Sequence, residues 1–150
     1  MLIKTHLAIA LFGVLVFISF VEAKLIFVIC VVIATVLPDI DSPFSKLGRW
    51  KIFRILQWFA GHRKIFHSLV FLILVFVGLY FLFPVVAWGF LVGYGSHLLA
   101  DALTVQGIYL FYPLNFRIKG FIKTGKFLEK IIFGIFVLVD LGLIFVRIFN

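Results

Sequence analysis

Five long apolar runs, separated by short polar connections, dominate this chain of 150 residues and limit the folds open to it. A membrane-spanning helix needs about 20 predominantly apolar residues. The runs predict helical segments at Leu7–Val21, Leu25–Leu37, Leu69–Phe83, Val85–Leu103 and Ile131–Phe149. The first two segments are short for a span and are joined only by residues 22–24, so we expect a tight helical hairpin. One continuous helix from 7 to 37 is the alternative.

The composition places these helices in a membrane. Hydrophobic residues make up 65% of the chain and charged residues 13%, whereas soluble domains average about 45–50% and about 25%. Disorder is excluded by the same figures. The sequence therefore predicts an all-α integral membrane protein with a single membrane-embedded domain over residues 1–150. We expect a bundle of about five short transmembrane helices plus one interfacial amphipathic helix.

The interfacial helix is predicted over residues 43–60. Ser42 and Pro43 are typical of a helix start. Four apolar residues then follow the i, i+3, i+4, i+7 pattern of one helix face: Ile52, Ile55, Leu56 and Phe59. Basic residues lie on the opposite side, and two tryptophans suit the headgroup zone.

The basic residues predict the orientation in the membrane. The connection between segments two and three holds six Lys and Arg residues, and that between segments four and five holds five. Basic connections stay in the cytoplasm, so we expect a multi-pass protein of the cytoplasmic membrane with its N-terminus inside. The net charge of +8 is explained by this rule and by anionic membrane lipids. Because the chain lacks a nucleic-acid reader motif, no nucleic-acid partner is expected.

Residues 1–23 have an alternative interpretation as a secretory signal peptide. Lys4 would be its charged start, and Val21, Glu22 and Ala23 resemble a small-residue cleavage site. Cleavage there would remove His6, which belongs to the candidate site described next.

Acids and histidines are scarce, and most of them fall at the predicted cytoplasmic helix ends. They are His6, Asp39, Asp41, His62, His67, His97 and Asp101. Ionisable groups at membrane depth are costly unless paired or ligated, so they mark functional sites. Histidine and aspartate are ligands for zinc and other divalent transition metals. The single cysteine, Cys30, excludes a site built on paired thiolates.

The local spacing of these residues also suits a metal site. His97 and Asp101 are four residues apart and share a helix face with Gly89 and Gly93, which would let a neighbouring helix approach closely. Asp39 and Asp41 lie in the turn after segment two. One of these carboxylates could bind the metal while the other acts as a general base or orients a ligand histidine. Taken singly, such residues are usually membrane anchors or turn formers. Their convergence on one leaflet favours a metal.

The remaining acids have simpler interpretations. Glu22 is expected in an exposed turn and Glu129 as a cap before the last helix. Asp140 lies in the middle of segment five, where it would pair with a polar neighbour or mark an oligomer contact.

Several short motifs form a distinctive set: Thr5-His6, Leu37-Pro38-Asp39-Ile40-Asp41, His62-Arg63 with His67-Ser68, Gly93 to Thr104 with its Ser-His-x-x-x-Asp-x-x-Thr pattern, Gly107, and Tyr112-Pro113-Leu114. Together they resemble the YdjM family of membrane-bound metal-dependent hydrolases. The resemblance covers about the first three quarters of the chain. It implies a membrane-bound metal-dependent hydrolase.

The order of the polar residues is also similar to that of the zinc-dependent phospholipase C and P1 nuclease group. This similarity implies ligands at His6, Asp39, His67, His97 and Asp101, to which His62 is added as a further candidate. That group has more histidine and glutamate ligands downstream. After Asp101 this chain has no histidine, and its only acids there are Glu129 and Asp140. One or two ions, most simply zinc with manganese as an alternative, are therefore expected rather than three.

The functional expectation is a membrane-embedded hydrolase that cleaves a phosphoester-type substrate, such as a phospholipid, with a metal-activated water. Asp39 or Asp41 would take the proton. Arg63, itself a catalytic candidate, would hold the phosphate together with Lys64 and Arg49. The alternative is a non-catalytic metal-binding membrane protein, or a scaffold that binds a cytoplasmic partner through its basic loops.

Overall fold

The computed structural model describes residues 1–41 and 65–149, which form five α-helices and their connections. The helices are α1 (Ile3–Phe17), α2 (Lys24–Val36), α3 (Leu69–Leu82), α4 (Pro84–Ala102) and α5 (Phe127–Phe149). Two 3-10 turns, Ile18–Phe20 and Leu37–Asp41, follow α1 and α2. The predicted all-α class is confirmed for the described residues. The predicted interfacial helix at 43–60 lies outside them.

The predicted hairpin between α1 and α2 is present, and Glu22 is exposed in its turn as expected. The first and last helices each begin four residues before the apolar run that predicted them. α1 begins at Ile3 rather than Leu7, and α5 begins at Phe127 rather than Ile131. Apolar runs could not reveal these turns, because they contain polar residues that the fold buries. Pro84 occupies the first turn of α4, where its missing N–H is not needed.

Two helical stretches are long and apolar enough to cross a membrane, Ile3–Phe20 and Phe127–Phe149. The helix α3 is apolar but shorter. Large apolar side chains are exposed along these helices, for example Leu138 at 71% and Phe81 at 80%. Such extensive exposed apolar surface is typical of contact with lipid or another apolar partner. The structure thus supports two spans, and the five-span bundle stays a prediction.

The helices α2 and α4 pack in close contact through glycine, as the sequence predicted. A Cβ atom added to Gly93 would lie 2.3 Å from the carbonyl oxygen of Val31, and one added to Gly89 would lie 2.7 Å from Cys30 Cβ. Only glycine lets the two backbones approach this closely. Because His97 is four residues beyond Gly93, this contact also places His97 next to the end of α2.

The polar helix ends gather at one end of the bundle. The starts of α1 and α5 meet there, since the Leu2 N–H donates to Glu129. The ends of α2 and α4 meet there too, where His97 contacts the Thr35 carbonyl. The start of α3 joins them through a hydrogen bond from Leu69 to the connection that follows α4. We call this the polar end.

The connection between α4 and α5, residues 103–126, has a defined fold that the sequence did not predict. Thr104 forms a parallel bridge with Ile122, and Ile108 forms an antiparallel bridge with Ile118. Gly107 has a φ of 60°, and a Cβ there would lie 2.0 Å from the Ile118 carbonyl oxygen. Both constraints favour glycine at this position.

Asp140 is only 3% exposed, and neither of its carboxylate oxygens has a hydrogen-bond partner among the described residues. The expected polar neighbour is therefore not found in that part of the chain. Asp140→Leu is expected to raise the stability of the protein by about 1–3 kcal/mol, because it removes an unsatisfied buried polar group. Thermal unfolding in detergent measures this. Asp140→Asn should gain less, and a leucine variant no more stable than wild type would contradict the expectation.

Candidate metal centre

Five of the predicted polar residues come together at the polar end. His6 lies in the first turns of α1, Asp39 in the 3-10 turn after α2, His67 just before α3, and His97 and Asp101 in the last turns of α4. Four of them are almost completely buried, with His97 at 0% and His6, His67 and Asp101 at 1% exposure each. The cluster therefore joins residues that are up to 95 positions apart in sequence.

The Asp101 carboxylate lies at the middle of the cluster. Its Oδ1 atom is 3.3 Å from His6 Nε2. Its Oδ2 atom is 3.7 Å from His97 Nε2 and 3.8 Å from His67 Nε2. On the other side, His97 Nε2 is 3.9 Å from Asp39 Oδ1. One carboxylate thus faces three imidazoles.

These separations fit a metal ion. Nitrogen and oxygen ligands lie about 2.0–2.2 Å from tetrahedral zinc, so that neighbouring ligand atoms are about 3.3–3.6 Å apart. Two groups of donor atoms, each within 4.8 Å of one another, could close on an ion with small shifts of the side chains: His6 with His97 and Asp101, and Asp39 with His67 and His97. Neither Nδ1 of His6 nor Nε2 of His97 makes a hydrogen bond within residues 1–41 and 65–149. Buried imidazole nitrogens without partners are what a metal site leaves when no ion is present.

The orientation of His97 is set by the backbone of α2. His97 Nδ1 lies 2.8 Å from the carbonyl oxygen of Thr35. Because a carbonyl only accepts, Nδ1 carries the proton and donates it, which leaves the Nε2 lone pair for a ligand. The ring also stacks on His6, with centroids 4.0 Å apart and planes 7° from parallel.

Asp39 is the most accessible member of the cluster, with a side chain that is 25% exposed. Burial raises the pKa of its carboxyl above the usual value, the His6 imidazole opposes this, and the Asp101 carboxylate adds to it. A cation bound beside Asp39 would offset the cost of burying its charge.

Two further side chains support the cluster from outside. The buried Tyr94 hydroxyl donates to the carbonyl of Phe66, the residue before His67. The Ser68 hydroxyl accepts from the Phe71 N–H and so caps α3. Together they fix the short stretch that carries His67.

Glu129 does not have the role expected of it. It was predicted to precede the last helix, but it lies within the first turn of α5 and is only 1% exposed. Its Oε1 atom accepts from the Leu2 N–H at 2.6 Å and from the Thr5 hydroxyl at 3.1 Å. Its Oε2 atom accepts from the Gly125 N–H at 2.5 Å. Glu129 therefore caps α1, the helix that carries His6, from a distant part of the chain.

The first residue of the chain also reaches the cluster. The α-amino group of Met1 lies 2.5 Å from Asp101 Oδ1, next to the contact with His6. This ion pair partly neutralises the buried carboxylate.

Several predicted site residues are not described by the structure. His62, Arg63, Lys64 and Arg49 lie outside the described residues. The backbone of Asp41 ends the 3-10 turn after α2, whereas its side chain is not described. The proposed second carboxylate and the proposed phosphate-binding residues therefore stay predictions.

The sequence did not point to the groups that support the cluster. The Thr35 carbonyl has no side-chain signature, and Tyr94 looked like one aromatic residue among many in an apolar helix. Glu129 could have been suspected, because it is one of only six acids in the chain and stands beside an apolar run. Its partners near the N-terminus could not be inferred from spacing.

Comparison with known proteins gives consistent matches. Residues 1–148 match the family described as YdjM inner membrane protein. The uncharacterized protein YvsG of Bacillus subtilis (strain 168) is 33% identical over 106 residues, which cover 67% of this chain and 66% of that protein. The inner membrane proteins YdjM of Escherichia coli (strain K12) and Shigella flexneri are each 35% identical over 99 residues, which cover 59% of this chain and 50% of each relative. No solved structure was found to match.

Proposed function

The chain belongs to the YdjM inner membrane protein family, and from this premise we propose that it is a membrane-embedded metal-dependent hydrolase that cleaves phosphoester-type substrates such as phospholipids. The observation that carries the proposal is the buried cluster of three histidines and Asp101, with Asp39 at its more exposed side. Such a donor set is typical of a catalytic transition-metal site.

The metal is proposed to be zinc, as one or two ions, with manganese as the alternative. His6, His67, His97, Asp39 and Asp101 are the candidate ligands within the described residues. When bound, the ion would supply an activated water nucleophile and polarise the scissile phosphoryl oxygen. The mixture of nitrogen and oxygen donors favours zinc over calcium and magnesium, which prefer oxygen alone.

The protein's own groups have separate roles in this proposal. Asp101 and the histidines hold the metal, and the Thr35 carbonyl keeps His97 in the tautomer that can ligate. Asp39 is partly exposed, so it can take a proton from the attacking water and pass it to solvent. Since Asp39 also lies within ligand distance, it could instead complete the metal site, with Asp41 as the base.

The membrane supplies the context for the substrate. The relatives are named inner membrane proteins, and two helices of this chain have spanning length. A cluster at the end of such helices lies at headgroup depth. We propose that this end faces the cytoplasm in a multi-pass arrangement, because the most basic connections of the sequence join the helices there.

Hydrolysis of a panel of phosphoester substrates tests the proposal, with phosphate release measured for the monoester and release of headgroup, diacylglycerol or nitrophenol measured for the diesters. Purified wild type, loaded with zinc or manganese, would be incubated with phosphatidic acid, phosphatidylglycerol and phosphatidylethanolamine in mixed micelles, and with bis-nitrophenyl phosphate. Turnover by wild type is expected, and Asp39→Asn should lower kcat at least about 100-fold if Asp39 is the base. Glu22→Gln, at an exposed turn, is the matched control and should retain wild-type activity.

The same experiment separates the enzyme from its alternative. A protein that holds its metal but turns over nothing in the panel would contradict the hydrolase and support a non-catalytic metal-binding protein or scaffold. Equal activity of Asp39→Asn and wild type would show that Asp39 is not the base and would favour Asp41 in that role.

A further inference from the structure

The connection between α4 and α5 carries an arginine that the metal centre does not use. The start of this connection is anchored to the metal-bearing helix. The Thr104 hydroxyl donates to the Asp101 carbonyl at 2.7 Å and accepts from the Gly107 N–H at 3.1 Å. The other arm returns to the same place, since Gly120 N–H donates to the Thr104 carbonyl at 2.9 Å. The connection is thus hydrogen-bonded at both arms to the end of the helix that carries His97 and Asp101.

Between these anchors the two arms pair and place Arg117 over an aromatic ring. Ile108 and Ile118 exchange two backbone hydrogen bonds, of 3.0 and 2.9 Å. Their neighbours Tyr109 and Arg117 are brought together, with the guanidinium carbon 5.5 Å from the centroid of the tyrosine ring. A guanidinium above a ring face is held by cation–π attraction and loses little further freedom when it binds a ligand.

The backbone of this pair is linked to the segment that carries a candidate ligand. The carbonyl of Leu110, the residue after Tyr109, accepts a 2.7 Å hydrogen bond from the Leu69 N–H. Leu69 is two residues beyond His67, which is a candidate ligand. The backbone that carries Tyr109 therefore contacts the backbone that carries His67.

Arg117 has the properties of a binding residue rather than of a solvated surface charge. Lys119, Lys123 and Lys126 in the same connection are exposed, whereas Arg117 is half-buried. Its Nε atom is buried and has no hydrogen-bond partner in the described part of the chain. The nearest acid in sequence, Glu129, is already satisfied by three donors. A partly desolvated cation with an unsatisfied donor calls for an anionic ligand.

We propose that Arg117, supported by Tyr109, forms an oxyanion-binding subsite that holds the phosphate group of the substrate next to the metal centre. The guanidinium offers a planar pair of N–H donors that matches two phosphate oxygens. The identity of the anion as a substrate group rests on the proposed function. The subsite itself takes a phosphate monoester or diester, whether it comes from a lipid headgroup or from a soluble compound.

Binding of inorganic phosphate tests the subsite without any need for turnover. Calorimetric titration of detergent-purified protein, with its metal in place, would compare wild type with Arg117→Gln and Arg117→Lys. Arg117→Gln is expected to weaken phosphate binding at least about tenfold, and Arg117→Lys by a smaller factor because it keeps charge but loses the bidentate fork. Lys123→Gln removes an exposed charge from the same connection and should change the affinity less than about twofold.

Metal content and the thermal midpoint serve as folding checks for these variants. If Arg117→Gln does not fold, the comparison of Arg117→Lys with Lys123→Gln tests the subsite instead. Only Arg117→Lys should then lose affinity for phosphate. Unchanged phosphate affinity in the folded Arg117 variants would overturn the subsite. Equal losses in Arg117→Lys and Lys123→Gln would overturn it as well, because they would show attraction by net charge alone.

Two further measurements identify the source of the anion and separate this inference from the proposed function. Binding to phosphatidylcholine vesicles with and without phosphatidic acid, against titration with glycerol phosphate, distinguishes a headgroup from a soluble ester. Where turnover is found, Arg117→Gln should raise KM more than it lowers kcat. If phosphate binding depends on Arg117 but the protein has no hydrolase activity, the subsite is supported and the hydrolase is contradicted. If Arg117→Gln turns over substrate with an unchanged KM, the hydrolase is supported and the subsite is contradicted.

Discussion

Replacing His97 and Asp101 together by alanine is expected to abolish metal binding, and His97→Ala alone should lower the affinity at least about 100-fold. His97 belongs to both groups of donor atoms that could hold an ion. Asp101 lies within 3.8 Å of all three imidazoles. No arrangement of the remaining described donors keeps three ligands around one point. Elemental analysis of detergent-purified protein, followed by competition with a chelator of known affinity, measures both effects.

The controls for this experiment are acids that lie away from the cluster. Glu22→Ala changes an exposed turn, and Asp140→Asn changes a buried carboxylate of α5. Both variants should keep the metal content of wild type. Full metal occupancy in the double variant of His97 and Asp101 would contradict the candidate metal centre and, with it, the proposed hydrolase.

Gly93→Ala is expected to destabilise the protein by about 1–3 kcal/mol, the usual cost of overpacking a tight contact. The added methyl group would lie 2.3 Å from the Val31 carbonyl oxygen and 3.0 Å from Ala34 Cβ. The first of these is backbone, so α2 as a whole must move away. The same carbonyl accepts the Thr35 hydroxyl, and the Thr35 carbonyl orients His97. Metal affinity should therefore fall together with stability.

Gly95→Ala is the matched control, two residues further along the same helix. A Cβ atom at Gly95 would have nothing within 4 Å, so alanine there should be neutral or raise stability by about 0.5–1 kcal/mol through helix propensity. Thermal unfolding in detergent, with and without zinc, gives the comparison. Equal stability of the two variants would contradict the close packing of α2 against α4.

The positions of the candidate ligands could be anticipated from the sequence for a simple reason. Charge counting predicted which helix ends share a side of the membrane, and acids and histidines are so few that their co-location was informative. The structure brings His6, Asp39, His67, His97 and Asp101 together as this reasoning requires. The close helix contact at Gly89 and Gly93 could also be predicted, because residues four positions apart lie on the same face of a helix.

Other features depend on contacts that no local pattern encodes. The bridges of residues 103–126 join isolated residues without periodicity. The first turns of α1 and α5 contain Thr5 and Glu129, which lower the hydropathy but satisfy one another across 124 positions of sequence. The Thr35 carbonyl is a backbone atom and leaves no trace in the residue pattern. In each case a long-range hydrogen bond decided the structure.

The capping of α1 by Glu129 has a consequence for how the protein is made. Translation proceeds from the N-terminus, so α1 is made early, while the carboxylate that accepts the Leu2 N–H and the Thr5 hydroxyl is still unsynthesised. At the other end of α1, Arg147 of α5 donates a hydrogen bond to the Leu15 carbonyl. Contacts at both ends of α1 therefore form only after α5 has been made. The last helix contributes no ligand among the described donors, yet the nascent chain cannot secure His6 in its final place until that helix has emerged from the ribosome.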